Sequence, residues 1–183
     1  GDFPPTIEIR YHTVPAGHVD SYPLDMLAEV LNERTGRLYS TMVEGRGIAA
    51  TASASSDTRK YAGLFSFDAM TRGEAVPEQI EQAWYEELAK LQTEELSDRE
   101  LRKVKNRVAA SNYRRLENKM SLLIQLAFSE ALLGWEEINE GPAKYEAVTA
   151  EDIKKVANRY FDETNRSVAI YRRKSEQVAA KEA

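Results

Sequence analysis

The spacing of apolar side chains divides the chain into strands and helices. Thr6 to Val14 (TIEIRYHTV) alternates Ile7, Ile9 and Tyr11 with Glu8, Arg10 and His12, which predicts a half-buried strand. Pro15-Ala16-Gly17 ends it. Leu24, Leu27, Ala28 and Leu31 then recur at the spacing of one helix face, with Asp20 or Ser21 as cap and Pro23 in the first turn. Thr35-Gly36 breaks this helix, on the expectation that the glycine adopts the left-handed backbone of a helix end. Arg37 to Glu44 reads as a short helix carrying Leu38 and Met42 on one face, and Gly45-Arg46-Gly47 stops it. Ile48 to Ser56 predicts a strand of small residues, and Tyr61 to Thr71 its hairpin partner, with Asp57-Thr58-Arg59-Lys60 as the loop. So little bulk in a strand suits close packing under a helix, or an extended peptide lying along it.

The second half is helical. Pro77 opens a helix with Ile80, Trp84, Leu88 and Leu91 on one stripe. Ser97-Asp98-Arg99-Glu100 is a capping box, and the helix after it places Leu101, Val104, Val108 and Leu116 inside. Met120 to Leu133 is apolar nearly all round, which predicts the central helix, closed by Gly134. Trp135 to Val148, with Gly141-Pro142, predicts a looser connection. Thr149 starts a last helix through Phe161 with Ile153, Val156, Ala157 and Tyr160 facing in, and Arg166 to Arg173 alternates again as a final strand. Strands gathered with helices to one side give an α+β two-layer sandwich, a mainly antiparallel sheet with helices packed on one face. The expected organisation is a linker remnant over residues 1–6, one domain over 7–173 and a frayed tail over 174–183. The start GDFPPT reads as the interior of a longer protein.

Composition adds few constraints. With 183 residues and 42% hydrophobic content, the chain can bury a core. A net charge of −5 gives no reason to expect nucleic acid or an anionic membrane as the main partner. No apolar run approaches the roughly 18 residues of a membrane span. The sequence has no Cys, so thiolate chemistry is excluded. His12 and His18 are the only histidines, and no helical pair of metal ligands exists; they read as a weak zinc candidate or as two surface histidines. No Gly-x-Ser-x-Gly elbow is present, and Gly45-Arg46-Gly47 is too short for a phosphate loop. Glu86-Glu87, Glu94-Glu95 and Glu136-Glu137 are sequence neighbours, which diverge on a helix and read as solvated surface. Arg102, Lys103, Lys105, Arg107, Arg114 and Arg115 make one helix basic, but Tyr113 is its only aromatic, so a solvated face is the reading over a nucleic-acid footprint. These residues do not make a self-sufficient enzyme.

Three segments, VPAGHVDSYPLDMLAEVL, GRLYSTMVEGRGIAATASASSD and ELRKVKNRVAASNYRRLEN, resemble the C-terminal, non-zinc half of the pitrilysin/insulinase (inverzincin) peptidases, a family that includes mitochondrial processing peptidase. The resemblance runs from about Ile7 to Arg172, carried by the order and spacing of its motifs. It implies two homologous α+β halves facing each other across a cavity. The other half carries His-x-x-Glu-His, which binds zinc and supplies a Glu base; this chain has no such motif, so it would hold no cofactor itself. The implied partners are a zinc-bearing N-terminal domain or a homologous active subunit, and a peptide substrate. Active relatives offer an Arg and, seven residues on, a Tyr to the substrate backbone. Those places fall at Val43 and Ala50, neither of which can donate such a bond, and Arg37 and Arg46 lie nearby. What the resemblance leaves is a cavity wall of Arg37, Arg46, Ile48, Ala50 and Ala52. It points to a bacterial zinc endopeptidase, or to a catalytically inactive partner subunit of such an enzyme; the sequence leaves the compartment open, the family's habit suggesting the periplasm and the cytoplasm being the alternative.

Overall fold

Alternation builds the sheet. The computed structural model describes residues 4–32 and 35–172, so the expected frayed tail from Lys174, and Arg173 with it, lies outside the described residues. β1 (Thr6–Thr13), β2 (Ala49–Thr58), β3 (Gly63–Thr71) and β4 (Arg166–Tyr171) form one antiparallel sheet in the order β2-β3-β1-β4. Ile7 opposes Ala69, Ile9 opposes Phe67 and Tyr11 opposes Phe65, so one face carries the bulk of both central strands. All six of these side chains are buried. The hairpin loop falls two residues later than the sequence suggests, because Asp57 and Thr58 still pair with Leu64 and Gly63.

Helices cover that face. α1 (Ser21–Leu31), α2 (Pro77–Thr93) and α6 (Ala150–Tyr160) supply Leu24, Leu27, Leu31, Ile80, Trp84, Leu88, Ile153 and Val156 to the core, as their periodicity dictates. The Trp84 ring stacks on Phe67 with centroids 4.4 Å apart, and its Nε1–H donates to the Tyr11 hydroxyl at 3.0 Å. Phe161 meets Tyr11 and Phe65 edge-on at 4.8 Å each, an arrangement that matches ring edges to ring faces. Helices therefore lie on one side of the sheet, and the fold is the α+β two-layer sandwich.

Several local expectations are corrected. Arg37 to Glu44 is not an ordinary α-turn: Tyr39–Gly45 is π-helical, though Leu38 and Met42 are buried as their spacing requires. Gly36 matters for close approach and not for a left-handed backbone, since a Cβ there would stand 1.7 Å from the Asn32 carbonyl oxygen. Asp20 precedes α1 but does not cap it with its side chain, which takes Arg159 and Tyr160 instead. Ser97 and Glu100 do form the reciprocal cap of α3 (Asp98–Glu117), yet of the inward set only Val104 is fully buried and Leu116 is 45% exposed.

α4 (Lys119–Leu132) is the largest departure. It buries no residue, and Met120, Leu123, Ile124 and Phe128 are exposed. The sheet's inner face is already filled by α1, α2 and α6, so α4 packs on the flank, against α3 and α5. The supposed loose connection is itself a helix, α5 (Glu137–Ala147), with Pro142 inside. Its first turn uses tighter bonds such as Glu137 N–H to Gly134 O and Ile138 N–H to Trp135 O. Glu87 and Glu137 are not solvated: Glu87 is buried and bonded by Lys90 and Thr41, and Glu137 takes Tyr22 and Lys144.

Candidate functional site

A groove of about 980 Å³ runs between the outer edge of β2 and the α3–α4 pair, floored by α1. α1 shows it Asp25, Ala28, Glu29 and Asn32, which recur at i, i+3, i+4 and i+7 as a second stripe beside the buried one. β2 contributes Ala54 to Thr58, α3 contributes Arg107, Arg114 and Arg115, and α4 contributes Phe128 and Leu132. β2 is an edge strand, so every second residue turns its backbone N–H and C=O away from the sheet.

Asn32 uses that edge. Its Nδ2 donates to the Ala54 carbonyl at 2.6 Å, and the Ala54 N–H donates to its Oδ1 at 2.8 Å. One side-chain amide thus pairs with a strand residue as a neighbouring peptide unit would. Asn32 can reach because α1 ends there: its backbone is extended while its N–H still bonds the Ala28 carbonyl.

Deeper in the groove, the Tyr145 hydroxyl donates to Asp25 Oδ2 at 2.7 Å. Burial pushes the Asp25 carboxyl above the ordinary aspartate range, with the Ser56 and Tyr145 hydroxyls partly opposing it. Burial, then the neighbouring Asp25, raises Tyr145 in turn. α5 is held in place to offer Tyr145: Tyr22 donates to Glu137 at 2.9 Å, and the Tyr22 and Tyr145 rings meet edge-on at 5.2 Å. Arg107 Nη1 donates to the Glu29 carbonyl at 3.0 Å and to its carboxylate at 3.3 Å. Arg59 pairs with Asp57. Arg114 and Arg115, both exposed, have no acidic partner among the described residues. Among the described residues, the groove's charged groups without an ion pair are thus the exposed Arg114 and Arg115 and the buried Asp25. The groove offers backbone and cationic contacts to a ligand.

The residues singled out in the sequence sit elsewhere. Arg37 is ion-paired to Glu100 of α3 at 3.1 Å, and Arg46 to Glu86 of α2. Ala50 lies at a bulge, where pairing with β3 jumps from Ala49 to Thr51, and is exposed. Ile48 and Ala52 are half-buried, and Val43 is half-buried in the π-helical turn. The groove's lining begins at Ala54, beyond all of them. His12 is exposed on the uncovered sheet face, and His18 Nδ1 accepts the Asp20 N–H at 3.1 Å. Among the described residues no cluster of three or more His, Asp or Glu could hold a metal ion. No described helix is long and apolar enough to cross a membrane. Periodicity marked the buried face of α1, Leu24, Leu27, Ala28 and Leu31; the polar stripe ending in Asn32 and the strand edge it meets were not read from it.

The fold and groove define an α+β two-layer domain with an open cleft beside an edge strand. Residues 4–108 match the model of the peptidase M16 inactive domain, and the chain belongs to that family. A protease from Helicobacter pylori superposes with a TM-score of 0.90 at 21% identity over 94% of this chain. The chain spans 42% of that protease. The inactive peptidase domain of a candidate zinc protease from Bordetella parapertussis gives 0.84 at 19% identity, covering 96% of this chain and 94% of that one. A peptidase M16 inactive domain from Pseudomonas fluorescens gives 0.77 at 15% identity, covering 92% of this chain and 41% of that one. At these identities the likeness is one of fold. No curated protein sequence matches the chain significantly.

Proposed function

We propose that the chain is the non-zinc C-terminal half of a bacterial zinc metalloendopeptidase. It closes the substrate chamber and contacts the peptide, while a separate N-terminal domain carries His-x-x-Glu-His, the zinc and the base that activates water. The observation that carries this reading is the match to an inactive peptidase domain in a chain that spans 42% of the H. pylori protease it superposes on. This half's own work is binding: positioning an extended substrate lowers the entropic part of the barrier without any residue here touching the reacting atoms.

A second reading has one specific observation behind it. Val43 and Ala50 stand where active relatives are expected to offer Arg and Tyr, and Ala50 lies in the bulge of β2. That loss suits a domain of a catalytically inactive partner subunit. One experiment addresses both. The chain is purified alone, and mixed with a companion bearing His-x-x-Glu-His from the same or a neighbouring reading frame. Zinc content and cleavage of a quenched fluorescent peptide are measured. The expected result is no stoichiometric zinc in the chain alone, and cleavage only in the mixture. Stoichiometric zinc in this chain, or full cleavage by the companion without it, rejects the proposal. A companion encoded as a separate polypeptide selects the second reading over the first.

A further inference from the structure

Ala54 turns both backbone groups outward to Asn32, so the alternation of an antiparallel edge turns Ser56 and Thr58 the same way. The hairpin agrees: Arg59, an odd step from Ala54, sends its N–H inward to the Ala62 carbonyl at 3.1 Å. Ser56 and Thr58 thus present strand-pairing groups to the groove, immediately beyond the Asn32 amide. Opposite them stand Arg114 and Arg115 without acidic partners among the described residues, and the exposed ring of Phe128.

We propose that this groove binds an extended peptide segment bearing carboxylate side chains, which adds an outer strand beside β2 at Ser56 and Thr58 and sets its acidic groups against Arg114 and Arg115. Backbone pairing supplies binding that tolerates many sequences, and the two cations supply the preference. Asn32 already fills the position opposite Ala54, so the added strand ends there, which fixes its register. Phe128 and Leu132 add apolar surface to the same helical wall. The inference deepens the peptidase reading and rests on it for the ligand class.

The test uses the whole chain and two fluorescein-labelled peptides about eight residues long, one alternating Val and Glu, the other Val and Lys. Anisotropy gives their affinities. The Glu peptide is expected to bind at least about tenfold tighter, and the Arg114→Glu/Arg115→Glu double variant to reverse that order. Ser56→Pro removes one outward N–H and is expected to weaken the Glu peptide about tenfold. As Pro can also disturb the strand, amide exchange is followed in the unmodified chain, where the Glu peptide should slow Ser56 and Thr58. Equal affinity for the two peptides, or unchanged exchange at Ser56 and Thr58, overturns the proposal. So does preference for a single-stranded oligonucleotide over the Glu peptide. Cleavage that depends on this chain without Glu-peptide binding would sink the inference and leave the peptidase reading standing. Peptide binding with no effect on a zinc-bearing companion would do the reverse.

Discussion

Two polar side chains of α1 do different work at the same groove. Asn32 gives two hydrogen bonds to Ala54 on an edge that would otherwise face solvent or another chain. Asn32→Ala is expected to cost about 1–2 kcal/mol in urea unfolding, two neutral bonds at their usual net worth. It should also raise concentration-dependent association, since the edge lengthens. A loss within experimental error would deny the cap any role. Asp25 is a burden at neutral pH. Its folded pKa lies above the unfolded value because burial disfavours the carboxylate. The sign follows from linkage: the native state holds that proton more tightly, so this group's contribution is fully present below the unfolded pKa and is lost as pH rises through the folded one. Ser56, Tyr145 and Glu29 are the groups that face it, the two hydroxyls favouring its charged form and Glu29 repelling that charge. Asp25→Asn keeps an acceptor for Tyr145 and removes the charge. It should melt above the unmodified chain at pH 8, with the gap closing toward about pH 4. A gap that widens on acidification would contradict this.

Among the elements, periodicity told most where one face is buried and least where apolar content alone was the signal. β1, β3, α1, α2 and α6 follow their patterns because the sheet's inner face fixes which side each must bury. α4 is as apolar as a central helix, but its position depends on which helices reach the sheet first in space, and no local pattern encodes that. α5 was missed because Gly141-Pro142 argues against a helix interior. The groove was not legible either: strand order decides that β2 is an edge, and Asn32, Tyr145 and Arg115 come together only in the folded chain. The placement of α4 has a direct check. Leu123→Gln and Ile124→Gln should each change stability by no more than about 0.5 kcal/mol, as exposed positions do. Trp84→Ala should cost about 3–5 kcal/mol, since it empties the site stacked on Phe67 and leaves the Tyr11 hydroxyl without its donor. Ser97→Ala, which breaks the cap of α3, falls between them at about 1 kcal/mol.

At the scale of the whole molecule, stability is distributed unevenly, and the distribution bears on the proposed role. β1 and β3 are each paired on both sides and carry Ile7, Ile9, Tyr11, Phe65 and Phe67 into the common core. α4 contributes no buried side chain and rests mainly on α3 and α5. Opening α4 therefore exposes little apolar surface that is not exposed already, whereas opening β1 or β3 dismantles the core. Native-state hydrogen exchange should accordingly show α4 amides exchanging through a local opening at least about 2 kcal/mol easier than the amides of β1 and β3. Equal protection across α4 and the central strands would mean that the flank unfolds only with the core. The consequence for function lies in the groove: its sheet wall, Ala54 to Thr58, sits on the paired sheet, and its opposite wall, Phe128 and Leu132, sits on α4, which buries no side chain. A peptide entering beside β2 then meets a fixed strand edge and a yielding helix. The same exchange experiment with the Glu-bearing peptide present should raise α4 protection more than that of β1 or β3.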